Sequence, residues 1–192
     1  MTTREYKQQL LHELYAPYQK CTQCPLGFLG RTNVVFGEGD PDASLMFIGE
    51  APGAQEDKQG QPFVGRSGKL LTATLQKLGI SRGDIFISNV VKCRPPENRK
   101  PLPLESKTCK NLLLLNQIKI IRPKVICALG ATAVEGLLEK TYPMTKIRGT
   151  KMVYESSILI PTYHPAYILR NRSAFNDFFQ DLQQAVTCAE KK

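Results

Sequence analysis

The stretch Gly49 to Gly68, GEAPGAQEDKQGQPFVGRSG, decides how the rest of the chain is read. It follows a short apolar run, Ser44 to Ile48, which reads as a buried strand. It leads into Ser67 to Leu78, an amphipathic pattern with Ser67 placed as N-cap and Gly79 just past the end. The eighteen residues 49–66 thus join a strand to a helix, a length that compact domains seldom leave without a purpose. They carry Glu50, Glu56, Asp57 and Phe63, and the apolar Pro62-Phe63-Val64 is foreign to a disordered linker. The stretch therefore reads as the floor of an active site at the carboxyl end of a strand, where open α/β sheets bind ligands.

Outward from it, apolar runs at Ile85–Val91 and Lys124–Leu129 give two more core strands, and residues 144–160 read as a strand pair. Helical patterns lie between them. Thr2 and Glu5 form a capping box for a first helix bearing Tyr6, Leu10, Leu11 and Leu14. Another helix runs from about Leu104 to Ile121, and one follows Gly130 to Leu138. The last starts at Ser173 and buries Phe175, Phe178, Phe179, Leu182 and Val186, with a frayed Lys191–Lys192 tail. Strands alternating with helices argue a parallel sheet covered on both faces. The loops 49–66, 92–103 and 161–171 should open on one edge of it.

At 192 residues a single domain over 1–192 is expected. Lys and Arg outnumber Asp and Glu, 26 to 17, and the net charge of +9 favours polyanions, nucleic acid before membrane. The start of the chain has no apolar h-region, and no run approaches the roughly 20 residues of a membrane span. A cytoplasmic location is expected, and its six cysteines are then not a disulfide framework. Cys21 and Cys24 flank two residues in a knuckle-like turn; 68 residues separate Cys24 from Cys93, and 15 separate Cys93 from Cys109. These four read as metal ligands, with spacing that leaves zinc and an iron–sulfur cluster both open and ordinary buried thiols as the plain alternative. Cys127 and Cys188 read as packing residues.

Gly60 to Ser67, GQPFVGRS, departs from a triphosphate-binding loop: Arg66 stands where lysine is required, and the preceding strand ends too early. What survives is a helix start that, with Arg66, suits a phosphate. Of the two histidines, His12 reads as a solvated helix residue. His164 follows a strand at the same sheet edge as Glu50 and Asn89 and is the candidate for chemistry. Lys69 and Lys92 read as surface or phosphate-facing.

Together GEAPGAQED (49–57), QPFVGRSGKLL (61–71), SNVVKCRPPENR (88–99), IRPKVICALG (121–130) and PTYHPAYILRN (161–171) resemble the family-4 uracil-DNA glycosylases, the iron–sulfur branch of that superfamily. The resemblance implies a three-layer α/β/α fold on a four-stranded, mainly parallel sheet, and a 4Fe–4S cluster on Cys21, Cys24, Cys93 and Cys109. It implies that Phe63 stacks on flipped-out uracil, that Asn89 reads the edge of the base and that His164 bonds uracil O2. Glu50 and the Ala51-Pro52 backbone match the motif beside the base and the scissile bond. The segment holding Ile168, Leu169 and Arg170 resembles the loop that wedges into the duplex. Other branches carry a water-positioning aspartate where this chain has Ala51, which leaves that role between Glu50 and Glu56. The basic insertion of the covalently trapping relatives does not follow Arg94, so turnover is expected, with no lysine marked as a Schiff-base nucleophile.

The expected activity is therefore hydrolysis of the N-glycosidic bond of uracil in single- or double-stranded DNA by a monomer. The alternative is a non-catalytic iron–sulfur or zinc protein that binds nucleic acid. That reading uses the charge and the cysteines but not Glu50, Phe63, Asn89 and His164 together.

Overall fold

Three strands are buried from end to end: β2 (Leu45–Gly49) and β4 (Val125–Leu129), which carry no polar side chain, and β3 (Phe86–Asn89), which ends in the buried polar pair Ser88-Asn89. Strands buried on both faces have no polar alternation, as parallel sheets require. In the computed structural model, which describes residues 1–190, they pair in parallel with one another and with β6 (Ser157–Thr162). Two short antiparallel strands close the margins, β1 (Glu38–Gly39) beside β3 and β5 (Met152–Tyr154) beside β6. The order is β1-β3-β2-β4-β6-β5, so the expected four parallel strands form the centre of a sheet of six. The Lys191–Lys192 tail lies outside the described residues.

Alternate residues of these strands feed two cores. Met46, Ile48, Ile126 and Leu159 face one layer of helices, and Phe47, Ile87, Cys127 and Ile160 face the other. The first layer holds α1 (Thr3–Tyr15), capped by the Thr2–Glu5 box. It also holds the long segment formed by α4 (Pro103–Cys109), a π-helical stretch at Lys110–Leu114 and α5 (Leu115–Ile121). α6 (Ala131–Leu138) completes it, supplying Val134 and Leu137. The second layer holds Leu71 and Leu75 of α3 (Arg66–Lys77), and Phe178, Leu182 and Ala185 of α9 (Phe175–Glu190). The result is the three-layer α/β/α arrangement. Buried Cys127 packs inside it as a thiol, its ionisation opposed by burial.

The stretch 49–66 is not free of regular structure. It holds α2 (Ala54–Gln59), ended by Gly60 in the left-handed region at φ +73°. Nor does Ser67 cap the following helix. Gly65 is the N-cap of α3 with no side chain capping it, and its own N–H and that of Val64 are taken by the Glu56 carboxylate, at 2.7 and 2.9 Å. A short α7 (Met144–Ile147) precedes the β5–β6 pair. The segment after His164 is the helix α8 (Pro165–Arg170), packed on α3.

Candidate active site

Because β2, β3 and β6 run parallel, the chain segments that leave their carboxyl ends meet at one edge, where a cleft of about 600 Å³ opens. The segment after β2 supplies Glu50, Ala51, Pro52, Glu56, Phe63 and Arg66. The end of β3 supplies Asn89, and the segment after β6 supplies His164, Tyr167 and Arg170. Every residue expected at the base and the scissile bond therefore lines one space.

Asn89 closes β3 and is 1% exposed, yet its Oδ1 has no hydrogen-bond partner among the described residues. A buried acceptor left unmade is costly, so this one marks a place where a donor is meant to arrive. Gly49 lies directly opposite in the register.

Phe63 holds its ring 5.8 Å from the imidazole of His164, centroid to centroid, with the planes tilted by 35°. Its backbone is in the left-handed region at φ +53°, a conformation that costs an aromatic residue energy and must be held from outside. Arg82 holds it: one guanidinium nitrogen donates to Phe63 O at 3.1 Å and another to Pro62 O at 2.7 Å, while the head also pairs with Glu38. On the far side Gly68 makes room, since a Cβ there would fall 1.8 Å from Phe63 O.

His164 is the N-cap of α8, and its Nδ1 accepts from the Ala166 N–H at 3.1 Å. That bond needs an unprotonated Nδ1, so the neutral ring carries its proton on Nε2. Burial, with the Arg170 charge adding to it and Glu56 opposing it, pushes the imidazole down to about 4. At neutral pH the ring is an uncharged donor. The Glu50 side chain makes no hydrogen bond among the described residues, whereas Oε1 of Glu56 is engaged by Val64 and Gly65.

The apolar pair Ile168 and Leu169 does not act as one unit. α8 turns Ile168 inward, 2% exposed, into the core with Leu71 and Phe178, and leaves Tyr167 and Leu169 each 37% exposed. An inserting role for Ile168 is thereby excluded: neighbours in a helix point about 100° apart, and this one is a packing residue. Arg170 and Arg66 stand on the cleft wall; Arg172 does not line it.

Cys21, Cys24, Cys93 and Cys109 line one small, mostly apolar pocket together with Val34, Leu113 and Lys92, and all four are free thiols. As the side chains stand, no set of three or more His, Cys, Asp or Glu among the described residues forms a site for a metal ion. The donor chemistry nevertheless suits a sulfur-loving centre: four sulfurs face one space, and no carboxylate or imidazole lines it. Burial, together with the neighbouring Cys109, pushes the Cys93 thiol up to about 12, and burial pushes Cys109 up to about 11. Lys92 beside Cys109 and Arg31 beside Cys93 pull the other way, and burial outweighs both.

Lys92 faces neither solvent nor phosphate. It is fully buried, 0% exposed, and burial lowers its ammonium to about 7. The charge after Val90-Val91 reads as a surface feature from sequence; the acceptors that satisfy it are the nearby Ser88 hydroxyl, the Asn89 carbonyl and the distant Gln117. Arg82 was likewise invisible as a site residue, because its partners lie 19 and 20 residues away. No helix among the described residues is long and apolar enough to cross a membrane.

A family model for the uracil DNA glycosylase superfamily matches residues 36–186. A type-4 uracil-DNA glycosylase of Thermotoga maritima is 51% identical over 175 residues, covering 90% of this chain and 88% of that protein. One from Pyrobaculum aerophilum is 43% identical, with coverage of 91% and 90%. A type-5 uracil-DNA glycosylase of Thermus thermophilus is 34% identical, but over only 53% of this chain and 52% of its own. Likeness to the type-4 proteins runs nearly end to end where likeness to the type-5 protein stops halfway, and the chain belongs to the type-4 branch of the uracil-DNA glycosylase superfamily.

Proposed function

We infer that the protein is a DNA repair enzyme that extrudes uracil from DNA and hydrolyses its N-glycosidic bond, leaving an abasic site. The observation that carries the reading is the buried, unpartnered Oδ1 of Asn89 beside Phe63 and His164. Uracil brings an N3–H donor to such an oxygen; cytosine has a bare acceptor at that position.

The roles follow from what each group has to offer. Phe63 stacks on the extruded base, as flipped bases lie against aromatic side chains. Asn89 reads its edge. Neutral His164 donates from Nε2 to uracil O2, where negative charge grows as the bond to the sugar breaks. Glu56 braces Val64 and Gly65, which leaves Glu50 for the attacking water and for the positive charge on the sugar. The Ala51-Pro52 backbone borders base and bond. Arg66 and Arg170 hold phosphates, and Leu169 with Tyr167 fills the space that the base vacates. Among the described residues no lysine lines the cleft, which supports a monofunctional enzyme without a Schiff base.

Cys21, Cys24, Cys93 and Cys109 hold a 4Fe–4S cluster, which when bound supplies a rigid tie between the N-terminal segment, the chain after β3 and the end of α4. The unit is one domain over 1–192, a monomer acting on DNA in the cytoplasm.

Incubation with a uracil-containing oligonucleotide, followed by mild alkali, is expected to release the base and break the strand at that position. Binding without release would favour a non-catalytic nucleic-acid-binding iron–sulfur or zinc protein. Protein purified without oxygen is expected to hold about four irons per chain, with stoichiometric zinc as the contrary result. Affinity for DNA is expected to fall steeply with salt, given the net charge of +9.

A further inference from the structure

Lys92 is among the largest fully buried side chains in the molecule. Its ammonium donates to three groups: Ser88 Oγ, the Asn89 carbonyl at 2.8 Å and Gln117 Oε1 at 2.7 Å. All three acceptors are neutral, and no carboxylate pairs with it among the described residues. Its backbone is equally committed, the N–H to Cys109 Sγ at 3.2 Å and the carbonyl to Val35 N at 2.7 Å. Gln117, on α5, is fixed in turn through Nε2 to Phe36 O at 2.8 Å.

Burying an ammonium that no carboxylate pairs with among the described residues is expensive, and an apolar side chain of the same length would fill the same space. What an apolar side chain cannot do is place three donors at one point. Those donors hold both the side chain of Ser88 and the main chain of Asn89 against α5. The Asn89 Oδ1 has no partner among the described residues to hold it in orientation. Its aim therefore depends on the main chain that carries it, and the Asn89 carbonyl is where Lys92 grips that main chain.

We propose that Lys92 is a positioning residue for base recognition, a strut from the cysteine pocket to Asn89 that fixes the direction of the Asn89 amide. The proposal rests on the uracil-excising reading of the cleft. Lys92 touches no substrate; its effect is transmitted through Asn89 alone.

A double-mutant cycle tests that transmission. Lys92→Met keeps the stem and removes the donors. Its single-turnover excision of uracil is expected to fall about 10- to 100-fold, as small misplacements of reacting groups do. Iron content and affinity for an abasic duplex are expected to stay at wild-type values. Asn89→Ala is expected to fall at least as far, and Lys92→Met added to Asn89→Ala is expected to cost less than a further twofold, because coupled residues are not additive. A Lys92→Met rate equal to wild type, or losses that multiply in the double mutant, would overturn the proposal.

Gln117→Met, which takes one acceptor away and leaves Lys92 in place, guards against a Lys92→Met chain that does not fold. It is expected to lose severalfold in rate and to add nothing to Asn89→Ala; independent losses, or none, count against the strut. A wild-type protein that releases no uracil would defeat the functional reading itself. A working wild type with an additive cycle would defeat only the role given to Lys92.

Discussion

Gly49 and Asn89 stand opposite each other at the ends of two parallel strands, and a Cβ on Gly49 would lie 2.5 Å from Asn89 Oδ1. It would lie equally close to Phe63 Cζ. Glycine is present at this position for space and not for a turn. Gly49→Ala is expected to displace both the amide and the ring while the sheet stays paired. Uracil excision should fall on the order of 100-fold, since misplacements near 1 Å have that effect. Affinity for DNA, set by phosphate contacts, should hold. Single-turnover kinetics beside a binding titration checks this; a wild-type rate would mean that the cleft accommodates the methyl group.

His164 yields a prediction about rate and another about pH. His164→Ala should lose about 10²–10³ in single-turnover rate, the usual worth of a donor aimed at developing charge. His164→Gln should recover part of it through its amide. Because the folded imidazole sits near 4, below the ordinary 6.5 of the unfolded chain, the unfolded state binds the extra proton between those values. The wild type should therefore lose stability as pH falls from about 6.5 to about 4, by up to about 3 kcal/mol. His164→Gln should lack that component. Denaturant midpoints measured across this range compare the two, and parallel curves would contradict a half-buried ring held neutral.

Arg82 is expected to act on the stacking aromatic from behind. Its guanidinium serves Pro62 O, Phe63 O and Glu38 together, a fork that lysine cannot reproduce. Arg82→Lys should thus weaken the hold on a left-handed Phe63 and slow excision about tenfold. Gly68→Ala, which drives a methyl into the Phe63 carbonyl, should be worse and should lower the thermal midpoint as well. Excision rates and melting curves for the two variants test the order; Arg82→Lys at full rate would show that Phe63 needs no outside support.

Ile168 and Leu169 should now part company. Ile168→Ala empties a core position and should cost about 2–5 kcal/mol in stability, with equal effects on single- and double-stranded substrates. Leu169→Ala should leave stability nearly unchanged and slow excision from duplex more than from single strands, where unstacking costs little. Equal losses on both substrates for Leu169→Ala would remove it from the duplex-facing surface.

The parallel centre of the fold was legible because Leu45–Gly49 and Val125–Leu129 carry no polar side chain, a pattern that double-sided burial explains, and Phe86-Ile87 opens a third run of the same kind. Their direction then put the segments of Glu50, Asn89 and His164 on one edge. What the sequence concealed is local structure too short to show a period. Glu38–Gly39 is two residues, and α2 is six residues inside a loop that reads as irregular. The split between Ile168 and Leu169 was hidden because adjacent apolar residues separate only once the segment is known to be a helix. Lys92 and Glu56 were misread or left open for one reason: their partners are backbone groups and distant side chains, and nothing in a charged letter tells which of these will satisfy it.

The margins of the sheet bear on how the protein fails when warmed. β1 offers two residues and β5 three, and β5 is followed by Glu155 in a left-handed turn and preceded by Lys151. Self-templating stacks need six or seven residues of clean edge, which neither margin has, although Val153 is 87% exposed. Behind β5 lies β6, whose Ser157–Thr162 run is that long but carries Pro161, which has no N–H to give to a new ladder. Peeling away a three-residue strand is a small local event, and it would bare only an edge that Pro161 interrupts. Clumping of the heated protein should therefore wait until the central strands come apart, since neither margin nor the strand behind β5 offers a clean edge.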